Sequence, residues 1–239
     1  MAQLQFSSSD TITFTERFGN GSDGAYAPST GTDSPIDSAC SGTSGTNSLS
    51  ATNAGFAANQ LILIHQTQGT LAGVWQLNVI QSYTAGTITT KYVLTNTYGT
   101  GAQVLVMPQY LSGNIANGVT ITTKAWNGTV GGIYAKFCNG TFTIAGTLTA
   151  RGTDGVDHSQ TGSSGCGFKG GNGFQNDNSG NLQAYQGDSP TGVGGQSTAA
   201  NGMGGGGGFR YNNGGAGGGG GGLTNAGNVT ISGTAPGGA

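Results

Sequence analysis

The sequence predicts an all-β protein with essentially no helix: a small β-barrel or sandwich, short β-solenoid-like rungs, and a C-terminal glycine-rich sandwich of the polyglycine II type. Three observations predict it. Apolar runs of strand length bounded by turn residues fill the middle of the chain, glycine-punctuated strands follow them, and 31 of the 50 glycines fall between residues 152 and 239.

Residues 1–18 read as an N-terminal strand. Leu4, Phe6, Ile12, Phe14 and Phe18 all occupy even positions, which puts them on one face of an extended segment. Such a strand either pairs within its own subunit or is donated to a neighbour's sheet edge, and Leu4, Phe6, Ile12 and Phe14 would carry the assembly contact in the second case. Residues 19–55 are Gly, Ser, Thr, Asn and Pro with few apolar anchors, and read as an arm.

Residues 56–112 read as the barrel-like domain. Residues 61–64, 74–83, 87–94 and 103–107 are β-type runs, separated by Gln68-Gly69, Ala85-Gly86 and Tyr98-Gly-Thr-Gly101. Residues 113–152 then read as rungs, with short strands at 118–122, 131–135 and 140–149. Thr143-Ile-Ala-Gly-Thr147 recurs as Thr230-Ile-Ser-Gly-Thr234. The echo makes 153–227 a glycine-rich insert between two rung-like strands, with 228–239 the returning strand.

Inside the insert stand two glycine runs: Gly204, Gly205, Gly206, Gly207 and Gly208, then Gly217, Gly218, Gly219, Gly220, Gly221 and Gly222. Ordering a backbone costs about 1–2 kcal/mol per residue, and glycine has most freedom to lose. No side chain in the runs recovers that cost by burial. Packed left-handed glycine helices rising about 3.1 Å per residue would supply the alternative, because only glycine lets backbones approach closely enough for Cα–H to carbonyl contacts. The runs are therefore expected to be a scaffold that holds out the loops between them.

Charge and chemistry narrow the function. Only 7% of residues are charged, where about a quarter is usual, and the composition is not that of a charge-rich disordered chain. The net charge of −2 is unevenly laid out: residues 38–153 hold Lys91, Lys124, Lys136 and Arg151 with no carboxylate. That is too thin a cationic surface for nucleic acid. No basic, apolar signal segment opens the chain, and no apolar run approaches the ~18 residues of a membrane span, so no membrane insertion is expected. A virion or extracellular location fits this composition, reached either as an already mature chain or by assembly or lysis.

Titratable groups are few. His65 ends an apolar run and reads as structural. His158 lies beside Asp154 and Asp157 in a glycine-flanked loop with no distant partner indicated. No Gly-x-Ser-x-Gly elbow and no phosphate loop is present, and Asn176-Asp-Asn-Ser-Gly180 lacks the glutamate and register of a calcium loop. Cys40, Cys138 and Cys166 follow no zinc or disulfide pattern. The expectation is no catalytic residue, no metal and no cofactor. Asn20-Gly-Ser, Asn127-Gly-Thr, Asn139-Gly-Thr and Asn228-Val-Thr match the glycosylation pattern, and three of them are equally Asn-Gly turns. Among the aromatics of the glycine-rich part, Phe168 and Phe174 read as internal. Tyr185, Arg210 and Tyr211 are of the types that supply contact energy at binding surfaces, and are the candidate ligand-binding residues.

Leu61-Ile-Leu-Ile-His-Gln-Thr-Gln-Gly69, Val106-Met-Pro-Gln-Tyr110, Ala125-Trp-Asn-Gly128 with Gly131-Gly-Ile133, Phe142-Thr-Ile-Ala-Gly-Thr-Leu-Thr-Ala-Arg-Gly152 and the glycine runs carry a resemblance. Together, over residues 56–239, they resemble glycine-rich-domain proteins of bacterial surfaces and phage tails. The C-terminal part is similar to the distal adhesins of T-even-like phage long tail fibres. There, polyglycine II helices pack as a sandwich whose loops touch the host receptor. This chain departs from them in having a shorter glycine-rich part and a different N-terminal half.

The resemblance and the composition imply a non-enzymatic structural or attachment protein of a virion or cell surface, presenting loops to a host surface glycan or outer-membrane protein. The alternative is a self-assembling subunit of an extracellular filament, pilus-like fibre or virion shell, built by donation of residues 1–18. Its partners would be further copies of itself or other virion or fibre proteins.

Overall fold

The structure is a computed structural model that describes residues 19–150 and, in backbone only, two short strands at 209–211 and 214–216. All regular structure among the described residues is β, with no helix. The N-terminal strand, both glycine runs and the returning strand of the sequence reading lie outside the described residues. The chain divides into two compact units, one comprising residues 1–66, 74–123 and 134–149, the other residues 67–73, 124–133 and 150–239.

The first unit contains a closed six-stranded barrel. Its strands are β3 (Asp37–Gly42), β4 (Ser48–Ala51), β5 (Leu61–Gln66), β6 (Trp75–Thr84), β7 (Thr87–Thr90) and β8 (Ala102–Val106), in the order β3-β4-β7-β6-β5-β8 around the wall. All six pairings are antiparallel, and closure leaves no free edge. Alternation sends Ile62 and Ile64 of β5, Ile88 of β7 and Leu49 of β4 into one core with Ile80, Val104 and Phe56. Ala85 (φ 46°) and Gly86 (φ 84°) form the tight turn between β6 and β7, the left-handed pair that matches strand twist.

Polar side chains complete the wall. Buried Asn78 accepts from the Tyr92 N–H at 3.2 Å through Oδ1 and donates through Nδ2 to the Tyr92 carbonyl at 2.8 Å. Gln66 treats the 99–100 turn in the same way, accepting from Gly99 N at 3.0 Å and donating to the Thr100 carbonyl at 2.9 Å. Side-chain amides thus stand in for a strand where the backbone has none.

Two corrections to the sequence reading arise here. The barrel starts at Asp37, so β3 and β4 come from the stretch read as an arm. Residues 131–135, read as a short strand, form none. Gly131 and Gly132 sit at φ 104° and 71°, a left-handed stretch that no strand accommodates.

The rest of the first unit is a stack of parallel strands in three levels. β1 (Ala25–Tyr26) and β2 (Gly31–Asp33) make the first level. β9 (Gln109–Tyr110), β10 (Ser112–Ile115) and β11 (Thr120–Thr123) make the second; β12 (Phe137–Cys138), β13 (Phe142–Ile144) and β14 (Thr147–Thr149) make the third. Pairing is in parallel columns, β1-β10-β13, β2-β11-β14 and β9-β12. The barrel is inserted between the first and second levels.

Levels approach closely where glycine permits. At the corner between β13 and β14, Ala145 N and Gly146 N both donate to the Ile115 carbonyl at 2.9 Å, and Thr147 N donates to that of Val119 at 2.8 Å. A Cβ on Gly146 would collide with the carbonyl oxygens of Ala116 and Val119.

In the second unit, Asn127 Oδ1 accepts from Thr129 N and Val130 N, both at 2.9 Å, and Gly128 takes φ 95°. Of the two readings of that tripeptide, the turn is the one described. β15 (Phe209–Tyr211) pairs antiparallel with β16 (Gly214–Ala216).

Candidate functional site

Four side chains, drawn with Lys136 from all three levels of the stack, converge on one ammonium group. Lys136 lies one residue before β12. Its Nζ donates to Asp33 Oδ1, at the end of β2, over 2.7 Å. The two side chains retain only 6% and 13% of their exposure. Three tyrosine rings surround the same nitrogen, with centroids at 5.0 Å (Tyr26), 5.7 Å (Tyr110) and 5.0 Å (Tyr134). Each lies within the roughly 6 Å over which a ring face attracts a cation.

Glycine builds the cage wall. Tyr26, Gly113 and Phe142 are successive members of one parallel column. A Cβ on Gly113 would collide with the edge of the Phe142 ring. Its absence lets Phe142 reach across to stack on Tyr26, with centroids 5.9 Å apart and planes 24° apart, while Tyr110 tilts onto Tyr26 at 4.8 Å. Aromatic contacts of this kind add roughly 0.5–1.5 kcal/mol beyond their burial.

The electrostatics follow from enclosure. Burial pushes the hydroxyls of Tyr26, Tyr110 and Tyr134 above their ordinary value, and the negative charge of Asp33 pushes each further. Tyr134 is affected most. Its buried hydroxyl lies beside that of Tyr26, whose proximity raises it further. Phenols held protonated around a carboxylate are potential proton donors. A second carboxylate, Asp23, braces the first two levels by accepting from Gln109 N at 2.6 Å.

The candidates chosen from sequence lie elsewhere. Tyr185 and both glycine runs fall outside the described residues, as do Leu4, Phe6, Ile12, Phe14 and the Asp154–Asp157–His158 group. Arg210 and Tyr211 occupy adjacent positions of β15, opposite Gly215 and Gly214. His65 pairs with Trp75 on β6 and Gln103 on β8, and burial lowers its pKa. Cys40 is buried inside the barrel and Cys138 is half-buried; both are free thiols. Among the described residues no three His, Cys, Asp or Glu side chains group as metal ligands, and no helix is long and apolar enough to cross a membrane.

The sequence reading missed the tyrosine–lysine–aspartate cluster, although a signal for it exists. Tyr134 and Lys136 sit two apart, on one side of an extended segment. With no carboxylate between residues 38 and 153, a buried Lys136 has to find its counter-ion outside that stretch. No protein-family model matches this chain, and comparison with curated proteins finds no significant match.

Proposed function

We propose that the chain is a non-enzymatic structural and attachment protein of a virion or cell surface, whose glycine-rich part presents Tyr185, Arg210 and Tyr211 to a host surface glycan or outer-membrane protein. The observation that carries this reading is the Lys136–Asp33 pair with its tyrosine cage. It spends a buried charge pair on tying the first level of the stack to the third rather than on an open, solvent-reaching site. Buried pairs of this type contribute register more than net stability, which suits a part that must hold shape. A preorganised support leaves little ordering entropy to be lost when its loops meet a ligand. The resemblance to glycine-rich surface and tail proteins points the same way.

Cell-surface binding by the purified full chain tests the reading. Labelled protein is expected to bind host cells saturably, and the triple variant Tyr185→Ala, Arg210→Ala, Tyr211→Ala is expected to lose at least about tenfold in affinity, as contact-residue truncations do. Circular dichroism should leave the fold unchanged. Equal binding by the triple variant would remove the assigned loops, and saturable binding to no cell or glycan would remove the attachment role.

A further inference from the structure

We propose that Lys136 and Asp33 become joined by an intramolecular amide bond between Nζ and Cγ, covalently locking the first level of the stack to the third. The inference rests on the cluster alone and does not depend on what the chain attaches to.

Three features place the reactants. First, Nζ and Oδ1 are 2.7 Å apart, so a hydrogen bond holds the nitrogen beside the carboxyl group it would attack, and groups held together in this way react with large effective molarity. Second, the pair is 6% and 13% exposed and ringed by tyrosines. Enclosure of this kind keeps out the water that would reverse the condensation. Third, the Tyr134 hydroxyl is buried beside that of Tyr26 and held protonated by burial, a donor that can turn to an oxyanion formed beside it.

The step balances without any external reagent. A proton passes from the Lys136 ammonium to the Asp33 carboxylate along their hydrogen bond, giving amine and acid. The nitrogen lone pair then attacks Cγ, and the Nζ–Cγ bond forms. The tetrahedral centre expels its hydroxyl group with one further Nζ proton, so a Cγ–O bond breaks and one water leaves. Nothing is oxidised or reduced. The link would span 103 positions of sequence and bracket the whole barrel.

Peptide mapping of the full chain decides the question. Cleavage after lysine and arginine puts Asp33 in peptide 18–91 and Lys136 at an internal cleavage point of 125–151. The expected product is one branched peptide joining 18–91 to 125–151, uncut at Lys136, lighter than its two parts by one water, about 18 Da. Lys136→Arg should yield separate, full-mass peptides, whether or not that variant folds. Full-mass, separate peptides from the unaltered protein, freshly purified and after prolonged incubation, would overturn the proposal. So would a missing water found with the two peptides unlinked, because an Asp-Gly succinimide loses the same mass.

Discussion

The corner at Gly146 offers a sharp test of the stacked levels. Gly146 does not use left-handed backbone, so alanine meets no intrinsic strain there. Its added methyl would instead strike the carbonyl oxygens of Ala116 and Val119, backbone atoms that cannot turn aside. Forcing a methylene into such a contact costs about 1–3 kcal/mol. Separation of the levels also strains the three bonds from Ala145, Gly146 and Thr147, each with a net worth of about 0.5–1.5 kcal/mol. A loss near 3 kcal/mol is the central expectation, which for a unit of this size lowers Tm by roughly 6–12 °C.

Gly99 supplies the control. It too avoids left-handed backbone, and a Cβ there meets nothing within 4 Å. Gly99→Ala should raise stability by about 0.4–1 kcal/mol by restricting the unfolded chain. Thermal unfolding of the two variants, with amide exchange at residues 145–147, measures the contrast. If Gly146→Ala melts with Gly99→Ala, or if its amides at 145–147 stay as protected as in the parent, the close stacking of levels is refuted.

Asn78→Ala should cost about 1–3 kcal/mol by stranding the Tyr92 N–H and leaving its carbonyl only the Thr90 hydroxyl; the urea midpoint and faster exchange at the Tyr92 amide read it. Gly113→Ala should push the Phe142 ring off Tyr26 and weaken the near-ultraviolet tyrosine signal without changing barrel content. Burial raises the Cys40 thiol from 9.0 to about 12. Between those values the native state keeps a proton that the unfolded chain has released, so this contribution is complete below about 9 and is lost as pH rises. Cys40→Ala should flatten the fall in urea midpoint on that alkaline side. His65 works in the opposite window: burial lowers its pKa below 6.5, so the unfolded chain binds the extra proton and stability falls with acidification below about that value. His65→Gln should lessen that acid-side loss.

The barrel was legible where its strands bury large aliphatic residues, as in β5, β6 and β8. β3 and β4 were not, for Asp37-Ser-Ala-Cys-Ser-Gly42 and Ser48-Leu-Ser-Ala51 hold small residues with little strand preference of their own. Their extended form is imposed by pairing with β8 and β7, the context dependence that makes strand propensity a weak guide. The first level of the stack hid for a related reason: β1 and β2 are two and three residues long, too short to show alternation. At 131–135 the error ran the other way, since aliphatic residues between glycines imitate a strand that two left-handed glycines forbid. The cluster around Lys136 lay deeper still, because its members span more than a hundred positions and only the stacking of the three columns brings them together.

An inserted barrel would ordinarily threaten the register of the levels it separates, since a long excursion makes the pairing of β1 with β10 entropically remote. The barrel's own topology removes that difficulty. Its entry strand β3 and exit strand β8 are neighbours, Asp37 opposite Leu105, and Val106 N donates to the Ile36 carbonyl at 2.8 Å. Barrel closure therefore delivers the two ends of the insertion side by side, and the stack continues from β2 to β9 with only a short gap left to bridge. A folding order follows in which the barrel forms first and the long-range parallel pairs form on it, consistent with the slowness of non-local pairing. The Lys136–Asp33 contact can close only after the third level has docked, so it comes last in that order. A covalent bond there would fix a register that the barrel has already selected.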